Sequence, residues 1–477
     1  MGNLLYLQAA LLLSFTASLW IGSHWPISHA STWGKYVLLF AAAWCFNEAA
    51  FWAWMKLFFM PSCQGITEPP KMCKAERMRL WERCMRNPGM SAQDFARGWF
   101  FDVEFEKITR EDCDRWLAWG MWGLTLEQLT DEDKQEMEGL VTMLEAKCGG
   151  HKFPPRDPSV GLLKCGTYTL DPVPHKHYYL FAYVLTMVIF EAMFRRAMWK
   201  RGFKRVQCKG PMRFWVRHTK QPGPPIVFFH GVGIGLYPYM GVVDGLVDTG
   251  ASVLLVDIPF VSARITEDVP DIAGCVTCVC DAMGTCGFDS GMMCGHSYGC
   301  NVVSWMIKKA PERVASVVLL DPTVLMLHLS TCCWGFVYAD AGKWDVASIL
   351  RTEPFINHTV RRHVWWFKNI LFAEDIKVPS LFVLSEEDIV VPSREVWQYC
   401  ESSPHIKAGP NVTCMLHGHT HGGFLHDAEM RGQMMEKIHE LQILTSTFHP
   451  EQVSKLKRSN SKAGPVWGGA ERRAANG

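Results

Sequence analysis

The sequence has almost no net charge, because 48 lysines and arginines stand against 47 aspartates and glutamates, which gives +1. It also lacks a basic stretch in which aromatic side chains alternate with lysine or arginine. Both absences argue against a nucleic acid as the main partner. Eighteen cysteines among 477 residues are too dilute for a disulfide-stapled scaffold. This length, with 48% apolar residues, predicts one large core and an additional module.

Three short signatures are also missing. No lysine followed by serine or threonine comes after the glycine-rich stretch His230–Gly235, so a phosphate-binding loop is disfavoured. The residues before the first apolar run lack the positive charge of a secretory signal, although Ser28–Ala30 resembles a cleavage site. Tyr6 stands where an N-myristoylation signal has serine or threonine.

The strongest motif present is Gly-His-Ser-Tyr-Gly at Gly295–Gly299. It follows a strand-like segment, Gly291–Cys294, and precedes a helix-like segment, Cys300–Val303. A serine on a sharp strand-to-helix turn is held away from competing backbone bonds, and the flanking glycines relieve crowding there. The pattern predicts that Ser297 is a nucleophile. A passive serine in a glycine-rich turn is the alternative.

A serine that attacks a carbonyl group needs hydrogen-bond donors for the oxyanion that forms, each worth about 3 kcal/mol of barrier. The strand predicted at Pro225–Phe229 ends in the glycine-rich stretch His230–Gly235, whose backbone can present such donors. We expect the amides of Val232 and Tyr298 to form an oxyanion hole. His230 is expected to brace the turn rather than to act as a base.

Two later loops contain the other groups that this chemistry needs. The strand predicted at Pro379–Leu384 is followed by Ser-Glu-Glu-Asp, in which Asp388 is the predicted orienting acid and Glu387 the alternative. A last strand leads to a loop with three histidines, of which His421 is the predicted general base and His419 the alternative. Zinc binding by these histidines is a weaker alternative. The order serine, aspartate, histidine is the one expected for such a nucleophile.

In these residues the sequence resembles the α/β-hydrolase superfamily. The resemblance covers roughly residues 205–445 and depends on His230–Gly231, Gly295–Gly299, Asp388 and His421 in the family's order. It implies an α/β fold, a mostly parallel sheet wrapped by helices, with a helical lid inserted after the sixth strand. It also implies that the serine, aspartate and histidine chosen above are the nucleophile, the orienting acid and the base.

Two features depart from the family's pattern. After Val253–Asp257 many members have a glycine-rich turn, whereas this chain has Ile258–Val261, and the loop of the presumed base holds three histidines. Asp321, after the strand predicted at Val317–Leu320, occupies a position that some lipases of the superfamily use for the acid. It is therefore a further alternative to Asp388.

Long apolar runs precede this region. Leu4–Ile21 and Tyr36–Met60 approach or exceed the length that crosses a bilayer, about 20 residues. A third run, Tyr178–Phe194, is followed by six basic residues, which favour the cytoplasmic side or an anionic membrane face. A pair of buried core helices is the alternative for the first two. Whether the third crosses the membrane is left open.

The chain thus divides into two membrane-anchor helices within 1–60, a helical polar and aromatic module at 61–177, a third apolar helix with its basic flank at 178–205, the hydrolase-like domain at 206–447 with its lid at about 323–377, and a disordered tail at 448–477. Capping motifs at Ser91–Asp94, Thr109–Asp112 and Thr130–Asp133 predict helix starts in the module. Its tryptophans are expected to fill the seam of a small bundle. A membrane- or substrate-facing aromatic surface is the alternative.

Together these patterns predict a membrane-associated serine hydrolase that cleaves carboxylic esters through an acyl-enzyme. Large apolar side chains between Asp321 and Val378 favour a lipid-like ester as substrate. The mechanism needs no cofactor and no metal. An acyltransferase with the same triad and a non-catalytic scaffold are the alternatives. The predicted location is an integral position in a membrane, with the endoplasmic reticulum as the candidate and the cytosolic side favoured for the catalytic domain.

Overall fold

The computed structural model describes residues 32–86, 90–220, 223–266, 268–339, 346–407 and 411–447. The first predicted apolar run, Leu4–Ile21, and the tail predicted at 448–477 lie outside these residues. The other predicted segments fall within them, apart from short gaps.

An eight-stranded sheet forms the centre of the molecule, in the order β1-β2-β4-β3-β5-β6-β7-β8. The strands are β1 Lys204–Val206, β2 Arg213–Arg217, β3 Ile226–Phe229, β4 Val253–Asp257, β5 Gly291–His296, β6 Val314–Leu320, β7 Ser380–Ser385 and β8 Asn411–Leu416. β2 runs antiparallel to both β1 and β4, and the pairs from β4 to β8 are parallel. The expected mostly parallel sheet is confirmed.

The central strands are buried and mostly apolar because helices cover both faces of the sheet. In β3, Val227 and Phe229 belong to one core, while Ile226 and Phe228 point to the other. Helices Ile272–Thr285, Gly299–Lys309 and Ser393–Ser402 cover the first face, and helices Met240–Asp248 and Ala428–Thr447 cover the second. Because the strands from β4 to β8 in the sheet order are parallel, their carboxyl ends meet at one edge of the sheet, where their loops converge.

The helices are α1 Thr32–Trp54 (continued by Met55–Phe59 and Met60–Cys63), α2 Lys74–Arg86, α3 Ala92–Trp99, α4 Arg110–Leu117 (continued by Ala118–Trp122), α5 Asp131–Lys147, α6 Leu180–Val184 (continued by Leu185–Phe190 and Glu191–Lys200), α7 Met240–Asp248, α8 Ile272–Thr285, α9 Gly299–Lys309, α10 Val346–Thr352, α11 Pro354–His363, α12 Trp366–Asn369, α13 Ser393–Ser402, α14 Pro404–Lys407 and α15 Ala428–Thr447. Ser91, Thr109 and Thr130 cap α3, α4 and α5, as the motifs predict.

The segment between β6 and β7 is helical, as expected for a lid, and the N-terminal module packs directly on it. The Trp99 indole donates to the His328 carbonyl at 3.0 Å, and the Trp366 indole donates to the Gly120 carbonyl at 3.0 Å. From the lid side, the buried Arg362 guanidinium donates to the carbonyl oxygens of Cys63, Thr169 and Asp171 in the module. One hydrophobic core therefore runs from the module into the sheet. The module's tryptophans fill this shared core instead of the seam of a separate bundle.

Helices α1 and α6 contact each other but leave much apolar surface exposed. The Leu180 amide donates to Glu48 Oε1 at 2.7 Å, so a carboxylate in α1 caps the first turn of α6. The rings of Phe51 and Tyr183 meet edge to face at 5.4 Å. Of the residues that the structure describes, Gly34–Cys63 is the one helix long and apolar enough to cross a membrane.

Candidate active site

Ser297 lies between the end of β5 and the start of α9, on a turn with a strained backbone. Its φ is +51°, in the left-handed region that a non-glycine residue rarely adopts. The turn is held by the Ser297 amide, which donates to the Leu320 carbonyl at 3.0 Å, and by the Thr323 hydroxyl, which donates to the Ser297 carbonyl. A Cβ atom at Gly295 would lie 2.8 Å from the backbone of Gly299. Position 295 therefore requires glycine, because β5 and the start of α9 lie too close there for a side chain.

The structure brings Ser297, His421 and Asp388 together in one line of hydrogen bonds. Ser297 Oγ lies 2.9 Å from His421 Nε2, and His421 Nδ1 lies 2.6 Å from Asp388 Oδ2. With the ring neutral and Nδ1–H donated to the carboxylate, Nε2 is free to accept the serine proton. This is the arrangement that a nucleophile, a general base and an orienting acid require.

The Asp388 carboxylate is held by the turn in which it lies. Its side chain is fully buried, and its Oδ1 accepts the amides of Val390 at 2.7 Å and Val391 at 2.9 Å. Its Oδ2 is therefore left for the histidine. Glu387 and His419 are the alternatives for the acid and the base. They contact each other through their backbones, because the Glu387 amide donates to the His419 carbonyl at 2.8 Å.

Asp321, the other candidate acid, also lies close to the site but makes different bonds. It follows β6, is completely buried, and accepts the Ser385 amide at Oδ1 (2.9 Å) and the Gly422 amide at Oδ2 (2.7 Å). Burial raises the pKa of this carboxyl group above its ordinary value, against the opposing charge of His421. Its bonds join the end of β7 to the residue that follows His421.

The environment of His421 suits a base that holds its proton firmly once it has accepted it. Burial by itself lowers the pKa of the imidazole, but the hydrogen bond and charge of Asp388, together with the charge of Asp321, raise it above its ordinary value. These interactions stabilise the protonated form of the ring.

The glycine-rich loop after β3 lies against the nucleophile turn. The Ile258 amide donates to His230 Nε2 at 2.8 Å, so His230 Nδ1 carries the proton and donates to the Gly231 carbonyl at 2.7 Å. His230 thus braces the loop, as expected. Within the described part of the chain, the amides of Val232 and Tyr298 donate to no protein acceptor.

Tyr239, which the sequence analysis did not single out, links this loop to the nucleophile turn. Its hydroxyl accepts the Gly231 amide at 2.9 Å and, with its one proton, donates to His296 Nδ1 at 2.6 Å. Burial lowers the pKa of His296 well below its ordinary value, and the neighbouring His421 and His230 act in the same direction. The neutral ring is therefore a fixed acceptor. No local sequence pattern marks this tyrosine.

One group of potential metal ligands occurs among the described residues. Ligand-type atoms of Asp321, Asp388 and His421 lie within 4.8 Å of one another. Both carboxylates already accept backbone amides, and the histidine is bonded to Asp388 and Ser297. These bonds suit a proton relay better than the coordination of a cation.

A cavity of about 240 Å³ lies beside Tyr298, the residue after the serine. Trp305 and Trp365 contribute aromatic walls, and Lys308 and Lys368 contribute basic groups. The rings of Tyr298 and Trp305, both in the wall of this cavity, meet edge to face with centroids 6.4 Å apart.

Residues 224–337 match a protein-family model described as the alpha/beta hydrolase fold. None of the curated proteins matches the chain in sequence. Similar solved structures include carboxylesterase CesB (YbfK) from Bacillus subtilis, with 12% identity, a TM-score of 0.38 and coverage of 53% of this chain and 97% of that chain. Naproxen esterase from Bacillus subtilis has 12% identity, a TM-score of 0.39 and coverage of 53% and 98%.

A further similar structure is that of a membrane phospholipase A, described as a bacterial virulence factor. It has 14% identity and a TM-score of 0.40, and the match covers 66% of this chain and 99% of that chain.

Proposed function

We propose that this chain, whose sheet and flanking helices have the α/β-hydrolase fold, is a membrane-associated serine hydrolase that cleaves carboxylic esters. The observation that carries the proposal is the line of hydrogen bonds from Ser297 through His421 to Asp388. It coincides with a strained turn at the serine and with two nearby amides that have no protein acceptor among the described residues.

In the proposed reaction, His421 Nε2 takes the proton of Ser297 Oγ as the oxygen attacks the ester carbonyl carbon. The amides of Val232 and Tyr298 donate to the oxyanion of the tetrahedral intermediate. The imidazolium, stabilised by Asp388, then gives its proton to the departing alkoxide, which leaves as an alcohol. Water, deprotonated by the same histidine, cleaves the acyl-enzyme and restores the serine.

Two observations favour a lipid-like ester and a membrane location. The helical segment between β6 and β7 contributes large apolar side chains, including Met326 and Leu329, to the same core that contains Tyr298. In α1, Val37, Phe40 and Phe46 are each more than 60% exposed, and only 6% of its most apolar stretch is buried by protein. Such a surface is stable only when lipid or another apolar partner covers it.

The proposal is tested with the full chain in nanodiscs, by measuring hydrolysis of esters with increasing acyl length. Ser297→Ala is expected to lower kcat/KM by at least about 10⁴-fold, whereas Ser402→Ala, at an exposed serine of α13, is expected to be neutral. Activity that survives Ser297→Ala would contradict the proposal. Adding a competing alcohol separates the alternatives, because transfer of the acyl group to that alcohol identifies an acyltransferase.

A further inference from the structure

The side of α6 that faces away from the sheet has a composition unlike that of an ordinary solvent-exposed helix. We call it the outer face of α6, formed by the exposed residues Phe181, Val188, Ile189, Met193, Arg195, Arg196, Trp199 and Lys200. Val188 is 58% exposed and Trp199 is 74% exposed. Isolated apolar residues at a surface need no explanation, but a row of them at helical spacing indicates a partner.

The outer face has an apolar part and a basic part, one after the other along the helix. The positions from Phe181 to Met193 are apolar where exposed, and those from Arg195 to Lys200 carry positive charge around one tryptophan. Val188 and Trp199 are 11 residues apart, which corresponds to about 16 Å along a helix. An apolar part followed by a belt of tryptophan and basic residues is the order found where a helix leaves the hydrocarbon region for the headgroups.

The charge of the basic end is not cancelled by its acidic neighbours. Glu191 is buried and already bound by Arg195 at 2.7 Å and Arg264 at 3.1 Å. Asp244 is paired with Arg201. Arg196 and Lys200 remain exposed, and so do Lys204 and Arg205 of the adjacent edge strand β1. The basic end is therefore complementary to an anionic surface.

The inner side of α6 contacts the segment that follows the expected oxyanion hole. The rings of Phe190 and Tyr237 stack with centroids 5.3 Å apart and planes 9° apart. The Arg264 guanidinium also joins Glu191 of α6 to Asp257 at 2.9 Å. A surface bound to the outer face would therefore be separated only by α6 from Tyr237, which follows the loop that carries Val232.

We infer that the outer face of α6 docks on an anionic bilayer leaflet, with its apolar part inserted among the acyl chains and its basic end against the headgroups. Continuity with α1 supports this occupant, because the Glu48 carboxylate of α1 caps α6 and the Trp44 ring of α1 meets the Phe181 ring of the outer face with centroids 6.3 Å apart. The consequence for catalysis, delivery of lipid esters from that leaflet, rests on the proposed function. The docking of α6 on the leaflet does not depend on the proposed function.

The docking is tested with an environment-sensitive fluorescent residue placed at position 199 of the full chain in nanodiscs. Nanodiscs of phosphatidylcholine alone are compared with nanodiscs that contain about 30 mol % phosphatidylserine. Emission is expected to shift to the blue with phosphatidylserine, and salt is expected to reverse the shift. Emission that is the same in both lipids would overturn the inference.

Charge reversal supplies the matched comparison. Arg196→Glu, Lys200→Glu and Arg205→Glu together are expected to lower the ratio of docked to undocked helix on the order of a hundredfold, since each basic residue contributes about fivefold. Lys107→Glu, Lys134→Glu and Lys147→Glu change the net charge equally at exposed positions of the module, and should leave the shift intact. An equal loss in both triple variants, or in neither, would overturn the inference.

A second measurement separates this inference from the proposed function. If both hold, the first triple variant loses hydrolysis of a lipid ester held in anionic nanodiscs and keeps hydrolysis of a soluble short-chain ester. If the chain hydrolyses neither ester but position 199 still responds to phosphatidylserine, the docking stands and the proposed function fails. If the variant hydrolyses both esters as well as the wild type does, delivery from the anionic leaflet is contradicted.

Discussion

At the scale of single residues, the site uses two buried carboxylates for different tasks. Asp388 presents one oxygen to the histidine and uses the other to hold its own turn. Asp321 uses both oxygens on backbone amides, one of them beside the base. The geometry thus favours Asp388 as the orienting acid and gives Asp321 the task of fixing the loop.

Exchange of each acid for its amide should separate these tasks. Asp388→Asn is expected to lower kcat by about 10⁴-fold, because the amide favours the wrong tautomer of His421. Asp321→Asn should have a smaller effect, since one acceptor oxygen is retained. A steady-state comparison of the two purified variants checks this, and a larger loss for Asp321→Asn would make that residue the acid.

The pH profile gives an independent check on the base. His421 must be neutral to accept the serine proton, and its pKa is raised by Asp388 after burial has lowered it. In the wild type, kcat/KM should therefore rise with pH to a plateau, with a midpoint above the ordinary histidine value of about 6.5. In Asp388→Asn the midpoint should move to lower pH. A midpoint that moves up, or stays unchanged, would contradict this assignment.

Tyr239 offers a prediction about positioning. Tyr239→Phe removes the hydroxyl shared by the Gly231 amide and His296, so the loop that carries Val232 loses its link to the nucleophile turn. We expect kcat to fall by about tenfold to a hundredfold, with little change in KM. Tyr237→Phe is the matched control, because among the described residues that hydroxyl meets only the Met193 sulfur, at 4.0 Å. Equal effects of the two substitutions would show that Tyr239 has no special role.

At the scale of elements, the turn from β5 into α9 depends on close backbone approach. A Cβ atom at Gly299 would overlap the Phe229 carbonyl oxygen of β3 and lie 3.0 Å from that of His230. The glycine therefore decides how closely α9 packs against the neighbouring strand, and so where the serine is held.

Substitution of two glycines by alanine tests this packing. Gly299→Ala should destabilise the protein by about 1–3 kcal/mol, because the added methyl group has no space. Gly284→Ala, in α8, meets nothing within 4 Å and should stabilise it by about 0.5–1 kcal/mol. Denaturant unfolding in detergent measures both. A neutral Gly299→Ala would show that the turn can relax.

The sequence predicts these elements well where one segment determines its own structure. The apolar strands, the capped starts of α4 and α5, and the glycines around Ser297 are local patterns. Tyr239 and the two amides bound to Asp321 cannot be found in this way. They depend on how the ends of separate strands come together, which one sequence does not encode locally.

At the scale of the whole molecule, the module and the lid pack as one body with the sheet. The hydrogen bond from Trp99 to the His328 carbonyl joins residues 229 positions apart, a contact that no short-range pattern predicts. Arg362 is 1% exposed and bonds the carbonyls of Cys63, Thr169 and Asp171. The boundaries drawn from composition therefore mark segments of sequence rather than separate packed units.

The proposed membrane association predicts that two cysteine thiols react differently, although both are exposed when the protein is considered without a membrane. Cys45 lies in the middle of α1, and Cys73 lies just before α2. In nanodiscs, a water-soluble maleimide should label Cys73 and not Cys45, because a water-soluble reagent does not reach a thiol that lipid covers. Peptide mass spectrometry measures both sites in one sample. Equal labelling of the two would place α1 in water.

The most direct test of the central claim is the reaction of the full chain with a fluorophosphonate probe, followed by identification of the modified residue. We predict one adduct on Ser297, lost in His421→Ala and retained in His419→Ala, whose ring belongs to the same loop. Absence of any adduct on a correctly folded protein, or an adduct that depends on His419 instead, would contradict the triad on which the proposed function rests.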